Sequence, residues 1–434
     1  MNEPKTVAFK TLGCRLNLYE TDALAAEFVR KNYKIVDFGE PADLYVINTC
    51  TVTNQSDQKS RREINVAHKA NAHGVTIVTG CMATNYKEQL EKNEAIDYVV
   101  DNQHKTSVLA VAEAHFNGEL VDINHFDANL FNYSPADTTF HTRSLIKIQD
   151  GCDNFCTFCI IPKVRGRATS RPPEDIFENI KTVIAYGYKE IVLTGVNLGR
   201  YQHGAYDFER LTEEILEIPG DFRVRISSIE PDGYSESFFR LFKHPKLTPH
   251  LHICLQSGSE EILLKMRRMY TARFFKDMAL KLQQMHPGFN LTTDIIVGFP
   301  GETDDQFGET LEMMKTIGFG HVHTFKYSVR KGTRAERMEG QVASHEKTRR
   351  SEEVRKLADA MKLSYRTSFI GKTQRVLVEK IRDDGTASGY GEHYVPVVIR
   401  EHGLTANTFY DVMIEDILAG DEPTLTGTRV VQTN

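Results

Sequence analysis

Residues 151–159 read Gly-Cys-Asp-Asn-Phe-Cys-Thr-Phe-Cys and place thiols at Cys152, Cys156 and Cys159. Three thiolates in this C-x3-C-x2-C spacing can wrap one small object, and no other cysteine or histidine lies within ten residues to complete a tetrahedral zinc site. A [4Fe-4S] cluster held by three cysteines fits the pattern, because it leaves one iron free for a substrate or cofactor. Two alternatives stay open from the residues alone: a zinc site with a distant fourth ligand, and three buried apolar cysteines.

Three further cysteines each follow a short run that is rich in β-branched residues. The runs are 6–13 before Cys14, 43–49 before Cys50, and 75–80 before Cys81. Helical patterns at 19–31 and 55–72 separate them, and this alternation predicts a parallel sheet. Because parallel strands present their carboxyl ends at one edge, we expect the three thiols to converge in a second metal site. The alternative is that each is a small core residue at a strand end.

The alternation of strands and helices resumes after a linker predicted at 126–142, which carries proline, asparagine and aspartate. The candidate strands are 145–149, 190–194, 223–228, 250–256, 291–297 and 321–327. Six such units predict a partial (β/α)6 barrel rather than the full eight. The C-x3-C-x2-C loop would follow the first of these strands, on the face where such barrels carry their active sites.

Small and polar residues follow several of the predicted barrel strands. Gly195 and Val196 follow the second strand, Ser228 and Glu230 the third, and 296–298 end the fifth. Glycine lets the backbone approach a ligand closely, although any one of these signals alone also fits an ordinary turn. Several of them beside a cysteine cluster predict a cofactor lying across the barrel mouth.

The pattern of predicted secondary structure changes towards the C-terminus. A charged helical pattern covers 346–366, and short alternating strands follow it. They predict a small all-β barrel of about 60 residues, with Gly389 and Gly391 in turns.

Composition narrows the class of protein. The chain has 434 residues, which suggests about three domains, and its 40% apolar and 26% charged residues exclude disordered, collagenous and coiled-coil classes. The sequence contains no run of ~18 apolar residues, so it predicts no membrane-spanning helix. The N-terminus lacks the basic start and the apolar stretch of a signal peptide. We therefore expect a cytoplasmic protein, with a monomer as the default.

The charge of the chain is uneven. A net charge of -6 argues against nonspecific nucleic-acid binding by the whole molecule. Residues 319–372, however, carry 13 Lys and Arg against 6 Asp and Glu, and could hold phosphates. A solvated helix is the alternative interpretation of this basic stretch.

Taken together, these motifs resemble the radical S-adenosylmethionine (SAM) methylthiotransferase family over essentially the whole chain. The resemblance implies that Cys152, Cys156 and Cys159 hold a [4Fe-4S] cluster that binds SAM. It also implies that the three separated cysteines hold an auxiliary [4Fe-4S] cluster. The implied domains are an N-terminal methylthiotransferase domain (1–125), a radical SAM core (138–368) and a C-terminal TRAM RNA-binding barrel (369–434). The implied SAM contacts are Gly195, Val196, Ser228, Glu230, Arg268, Ile296 and Gly298.

The branch of the family is indicated by residues 13–17, Gly-Cys-Arg-Leu-Asn, with Glu20 following. They resemble the branch that acts on N6-threonylcarbamoyladenosine at position 37 of tRNA. The isopentenyladenosine branch usually has Gly-Cys-Gln-Met-Asn there, and the ribosomal-protein branch Gly-Cys-Pro-Lys-Asn. The implied reaction is methylthiolation of C2 by a 5′-deoxyadenosyl radical, sulfur insertion and SAM methyl transfer. Methylthiolation of isopentenyladenosine or of a ribosomal protein side chain is the alternative.

The resemblance also implies partners. The target base lies in the tRNA anticodon loop, where unstacked bases can be splayed out and read. The candidate substrate contacts are Arg15, for the threonylcarbamoyl carboxylate, and Arg375, Lys380 and Tyr394 on the C-terminal barrel. The expected reductant is a flavodoxin or ferredoxin, while the sequence does not identify the sulfur donor. Cys254 is interpreted as a core residue. Two other classes stay open: a non-enzymatic iron-sulfur RNA-binding protein and a zinc hydrolase.

Overall fold

A computed structural model describes residues 3–126, 128–133, 142–231, 233–420 and 422–430. Part of the predicted linker, residues 127 and 134–141, therefore lies outside the described residues. On either side of residue 127, Phe126 and Tyr133 pack against the core of the N-terminal sheet. None of the helices in the described ranges combines the length and apolar composition of a bilayer span.

The first unit is a five-stranded parallel sheet in the order β2-β1-β3-β4-β5, as the alternation predicts. Its strands are β1 (Thr6–Thr11), β2 (Lys34–Ile35), β3 (Leu44–Thr49), β4 (Val75–Gly80) and β5 (Tyr98–Val100). Its helices are α1 (Arg15–Arg30), α2 (Asn54–Ala70), α3 (Cys81–Asn85), α4 (Lys87–Leu90) and α5 (Val108–Phe116). Strands β3 and β4 are buried throughout, because helices cover both faces of the sheet.

The sheet brings three cysteines to its carboxyl edge. Cys14 precedes α1, Cys50 follows β3 directly, and Cys81 begins α3 directly after β4. Gly80 makes the last of these turns possible. Its φ of 97° belongs to the left-handed region, and a Cβ there would lie 2.5 Å from the Thr49 carbonyl oxygen.

The second unit is an open barrel with its helices outside. Its strands and strand-like pieces are β6 (Arg143–Lys147), β7 (Gln149–Asp150), β8 (Thr169–Ser170), β9 (Glu190–Thr194), β10 (Gln202–His203), β11 (Tyr206–Asp207), β12 (Arg223–Ile226), β13 (His250–His252), β14 (Asn290–Val297) and β15 (His321–Lys326). Its helices are α6 (Ile161–Val164), α7 (Pro173–Ala185), α8 (Phe208–Glu217), α9 (Glu236–Leu241), α10 (Glu260–Lys265), α11 (Ala272–Met285), α12 (Asp304–Ile317) and α13 (Ser344–Thr367).

Six parallel strands form the barrel wall, in the sets β6-β9-β12 and β13-β14-β15. Bridges between Val224 and Leu247 and between Ile229 and Ile253 join the two sets. The predicted partial (β/α)6 barrel is confirmed. The fourth predicted strand is too long, however: β13 ends at His252, and Gln256 has a φ of 66° that no strand adopts.

The third unit is a closed all-β barrel in the order β16-β17-β18-β20-β19, as predicted. Its strands are β16 (Thr373–Ile381), β17 (Ala387–Tyr390), β18 (Pro396–Ile399), β19 (Thr408–Leu418) and β20 (Thr424–Arg429). The interpretation of Gly389 as a turn residue is wrong, because Gly389 lies inside β17. A Cβ there would lie 1.9 Å from the Leu377 carbonyl oxygen, so the glycine permits close strand pairing rather than a turn.

The C-terminal barrel packs beneath the amino ends of the central barrel strands. Arg223 at the start of β12 donates to the Tyr390 carbonyl at 3.2 Å, and Asn290 at the start of β14 donates to the His393 carbonyl at 2.7 Å. The carboxyl ends of those strands face the three cysteines of the N-terminal sheet. The two flanking units therefore lie at opposite ends of the central barrel.

Candidate active site

A cavity of about 1220 Å³ separates the N-terminal sheet from the mouth of the central barrel. Cys14, Cys50 and Cys81 line it from the sheet. The barrel side is lined by residues that include Gly195, Val196, Ser228, Cys254 and Asp294. Thiols from one unit and strand-end residues from the other thus face the same space.

The three separated cysteines converge as the sheet topology predicts. Cys14 is exposed to the cavity, whereas Cys50 and Cys81 are buried. Burial, with smaller contributions from the neighbouring Cys81 and Cys14, raises the pKa of Cys50 to about 11. Gly13, at a φ of 98°, leaves room for this grouping, since a Cβ there would lie 2.8 Å from the Cys50 Cβ. Burial also raises the pKa of Cys14. Three converging thiols fit a cationic metal group, which replaces their protons when it binds.

The contiguous cysteines lie on a tightly turned loop after β7. Gly151 has a φ of 68°, and a Cβ there would lie 2.0 Å from the Arg167 carbonyl oxygen. Phe155 also occupies the left-handed region, at 48°, which costs roughly 1–3 kcal/mol for a bulky residue. Burial raises the pKa of Cys159 to about 12, and the neighbouring Cys156 and Cys152 thiols act in the same direction. The donor set fits a three-cysteine [4Fe-4S] cluster.

Arg268 is fixed beside this loop. It pairs with Glu230 and donates from Nη1 to the Cys156 Sγ at 3.1 Å. Burial opposes its charge, but Tyr270, Glu230 and Cys156 hold the pKa of Arg268 well above its usual value. The predicted SAM contacts Glu230 and Arg268 are therefore engaged with each other and with a cluster ligand.

Gly195, Val196 and Ser228 lie on the cavity wall as expected for cofactor contacts. Gln149, which the sequence did not single out, holds this turn: its Oε1 accepts from the Val196 N–H at 3.0 Å. A Cβ at Gly195 would lie 2.8 Å from the Gln149 carbonyl oxygen. The Val196 N–H is thus already satisfied, and the Gly195–Val196 turn can offer carbonyls to an amino group.

Ile296 and Gly298 are not among the residues that line this cavity. Ile296 packs in a small core with Phe158 and Phe299. The Gly298 N–H donates to the Glu302 Oε2 at 2.6 Å, and the Lys347 side chain covers its Cα. The interpretation of Cys254 as a core residue is wrong, because Cys254 lines the cavity and its carbonyl accepts from Tyr270 at 2.7 Å.

Comparisons with known proteins agree with this geometry. Residues 6–101 match the family described as Uncharacterized protein family UPF0004, and residues 146–314 match the Radical SAM superfamily. Threonylcarbamoyladenosine tRNA methylthiotransferase MtaB of Bacillus subtilis is 39% identical over 91% of this chain and 90% of the relative. The protein of that name from Thermotoga maritima is 38% identical over 90% of each chain.

The chain belongs to the radical SAM methylthiotransferase family. A tRNA-2-methylthio-N(6)-dimethylallyladenosine synthase of Aliarcobacter butzleri is more distant, at 32% identity over 96% of this chain and 98% of the relative. Among solved structures, the radical SAM methyltransferase TsrM from Kitasatospora setae has a TM-score of 0.58 at 14% identity, covering 77% of each chain. That likeness concerns the fold alone. The cofactors of this methylthiotransferase are [4Fe-4S] clusters and SAM.

A second, smaller cavity of about 220 Å³ lies inside the central barrel of this methylthiotransferase. Its lining includes Arg15, His250, His252, His323 and Tyr394. His252 marks the boundary with the larger cavity, because its Nε2 lies 3.3 Å from the Oδ1 of Asp294. The two cavities are neighbours along the barrel axis, and Arg15 projects into the inner one from the N-terminal sheet.

The residues predicted to bind tRNA on the C-terminal barrel lie in different places. Tyr394 stacks on Tyr390 at 4.9 Å and lies beneath the Arg225 guanidinium at 3.9 Å, so it joins the two barrels instead of offering a free face to RNA. Arg375 is half exposed and pairs with Asp221 at 2.7 Å. Lys380 is exposed.

Proposed function

We propose that the chain methylthiolates C2 of N6-threonylcarbamoyladenosine at position 37 of tRNA, giving 2-methylthio-N6-threonylcarbamoyladenosine. One observation carries the proposal: the auxiliary cysteines and the strand-end residues of the radical SAM barrel line a single cavity. A base inside that cavity faces both sites, as hydrogen removal and sulfur delivery at one carbon require. The names of the Bacillus and Thermotoga relatives support this substrate.

When bound, the clusters and SAM supply the radical that removes the C2 hydrogen, the sulfur that replaces it and the methyl group that caps the sulfur. The chain positions these reactants. Arg268 places a fixed cation against Cys156 and favours its thiolate form. Gln149 orders the Gly195–Val196 turn by accepting from two of its backbone N–H groups, and this turn lines the cavity where the SAM amino group would bind.

Arg15 is the residue that we propose to read the threonylcarbamoyl carboxylate. Its guanidinium lies 5.8 Å from the Tyr394 ring, and no carboxylate of the described residues forms an ion pair with it. Burial and the nearby Arg225 lower the pKa of Arg15. A partly buried cation without an anion is costly, and a substrate carboxylate in the inner cavity would relieve that cost. The isopentenyl group carries no charge and would leave Arg15 unpaired.

The rest of the chain serves tRNA and electron delivery in this proposal. The divisions are 1–125, 138–368 and 369–434, with the last as a TRAM domain that meets the tRNA backbone. Lys380 of this domain, and the basic stretch at 319–372 that lies mostly in the central division, supply cations for the tRNA backbone. We propose that the chain works in the cytoplasm as a monomer and receives electrons from a flavodoxin or ferredoxin.

Two measurements test the proposal. The first is anaerobic iron and sulfide analysis of the wild type and of a Cys152/Cys156/Cys159 triple alanine variant. We expect about eight irons falling to about four, as two independent three-cysteine clusters require. About four falling to none would remove the auxiliary cluster and the sulfur-insertion reaction with it.

The second measurement is a competition between two tRNA substrates with the reconstituted enzyme. One tRNA carries threonylcarbamoyladenosine and the other isopentenyladenosine, and the nucleoside products are identified by mass spectrometry. We expect the methylthio product from the first tRNA. Product from the second alone would overturn the substrate assignment.

A further inference from the structure

Five charged side chains form a fully buried network between the N-terminal sheet and the central barrel. Glu20, on α1, and Lys105, in the turn before α5, come from the N-terminal unit, and Lys147, Asp150 and Arg165 come from the central barrel; each is at most 3% exposed. Glu20 is the hub: it lies 2.5 Å from Lys105, 2.9 Å from Lys147 and 3.1 Å from Arg165. Asp150 accepts from Lys147 at 2.6 Å and from Arg165 at 2.9 Å. The network therefore joins two domains through short, charge-assisted contacts.

The network carries one more positive charge than negative. Burial disfavours the charge of Glu20, yet Arg165, Lys105 and Lys147 hold its pKa well below the usual value. Asp150 and Glu20 likewise keep the pKa of Arg165 well above its usual value against the effect of burial. Three cations thus face two carboxylates, and an unbalanced charge inside a protein is costly unless another group compensates it.

The excess charge lies under the auxiliary cysteines. Arg165 lines the main cavity beside Cys14 and Cys81. Its Nη2 donates to the Asn17 Oδ1 at 2.6 Å, and the Asn17 backbone N–H in turn bonds the Cys14 sulfur. The side-chain amide of Asn17 also donates to the Thr49 carbonyl at 3.0 Å, next to Cys50. Asn17 therefore transmits the position of Arg165 to the loops that carry two of the three cysteines.

A second contact connects the segment that contains Arg165 to Cys81. Residues 160–165 follow the last cysteine of the C-x3-C-x2-C loop, and Ile160 and Val164 pack against Cys81. Asn102 donates to the Val164 carbonyl at 2.8 Å and lies 3.7 Å from the Cys81 sulfur. Residues 160–165, which follow the C-x3-C-x2-C loop, thus also pack against the auxiliary cysteine site.

An oxidised [4Fe-4S] core has two positive charges, so three thiolate ligands leave it with one negative charge overall. That charge matches the excess in the network. We propose that Arg165 is a positioning residue for the auxiliary cluster, whose charge it compensates across the domain interface. Loading of this cluster and docking of the N-terminal sheet on the barrel are then coupled. The inference rests on the two-cluster assignment and is independent of which base is modified.

The test uses the triple alanine variant of the contiguous cysteines, so that the auxiliary cluster is measured alone. Arg165→Met removes the excess charge, and Lys105→Met removes the same charge from the far side of Glu20. Arg165→Lys keeps the charge without the fork that reaches Asn17. The measurements are iron per chain and the midpoint potential of the cluster, followed by electron paramagnetic resonance.

We expect Arg165→Met to shift the midpoint potential to more negative values, because a nearby cation favours the added electron. Lys105→Met should shift it less, and Arg165→Lys should retain the potential but lose iron faster to a chelator. Hydrogen exchange in α1 should slow when the parent protein is loaded, and slow less in Arg165→Met. An unchanged potential in Arg165→Met at full iron content would overturn the proposal.

Two further outcomes are decisive. If Arg165→Met does not fold, the Glu20→Gln/Arg165→Met double variant restores the original excess charge, and it should recover folding and iron binding. Failure of that variant to bind iron, while Arg165→Lys binds iron at an unshifted potential with no added loss to chelator, would overturn the charge argument. A triple alanine parent without iron would overturn both this inference and the two-cluster assignment.

Discussion

The two cysteine sites are built in opposite ways. Cys152, Cys156 and Cys159 share one loop, whose shape is set by its own backbone, with Gly151 and Phe155 in the left-handed region. Cys14, Cys50 and Cys81, by contrast, follow β1, β3 and β4, and they meet because these three strands lie consecutively in one parallel sheet. The first site depends on local geometry, whereas the second depends on sheet topology and on a buried contact with the barrel. Substitutions at the first site should therefore affect only its own cluster. Substitutions at the second site should also affect the contact between the N-terminal unit and the barrel.

The largest expected effect separates the chemistry of the two sites. Cys156→Ala should abolish both SAM cleavage and product, since it removes a ligand of the radical cluster. Cys81→Ala should abolish methylthio product while 5′-deoxyadenosine still forms. Each variant should keep about four irons, from the undisturbed cluster. The readouts are chromatography of 5′-deoxyadenosine and mass spectrometry of tRNA nucleosides. Methylthio product from Cys81→Ala would contradict the assignment of sulfur delivery to the auxiliary cluster.

The glycines beside each site provide the next comparison. Gly151→Ala would place a Cβ 2.0 Å from a carbonyl oxygen, and Gly13→Ala would place one 2.8 Å from the Cys50 Cβ. Each should lose its own cluster and lower the free energy of unfolding by about 1–3 kcal/mol. Gly118→Ala is the matched control, because its φ of 74° is similar but no atom lies within 4 Å. Full iron in all three variants would show that crowding at these glycines does not matter.

The same contrast explains what could be predicted from the sequence. The contiguous site follows from spacing, and the convergence of Cys14, Cys50 and Cys81 follows from strand order alone. The role of Gly389 cannot be predicted from the sequence, because it depends on the close approach of the Leu377 carbonyl across the strand pair. A glycine required for strand pairing looks the same as a glycine required for a turn.

Residues that act across domains leave the weakest signal in the sequence. Arg165 and Gln149 follow no spacing rule, and their partners lie far away in the chain. Tyr394 is predicted to contact RNA, yet it packs beneath Arg225 where the two barrels meet. Exposure depends on which domains meet, and neither periodicity nor composition encodes that contact.

Substitution of Arg268 should affect the radical SAM site without affecting the auxiliary site. Arg268→Met removes the donor to Cys156 and leaves Glu230 without its cation. We expect the rate of SAM cleavage to fall by about 10–100-fold, the usual cost of losing a group that supports a metal ligand. The iron of the auxiliary site should be unchanged. Arg267→Met is the control, since Arg267 is exposed and adjacent. Equal rates in the two variants would remove Arg268 from the site.

Arg15→Gln gives the smallest and most specific expected effect. It replaces a cation next to Cys14 with a neutral side chain, and the lost charged contact should lower kcat/KM for threonylcarbamoyl tRNA by about 10-fold or more. SAM cleavage and iron content should stay at wild-type values, because Arg15 points into the inner cavity and not towards the cysteines. Lys380→Gln, which removes an exposed cation, should change binding only slightly and mainly at low salt. Loss of iron in Arg15→Gln would instead mean that Arg15 supports the Cys14 turn, and unchanged kcat/KM would remove it from substrate recognition.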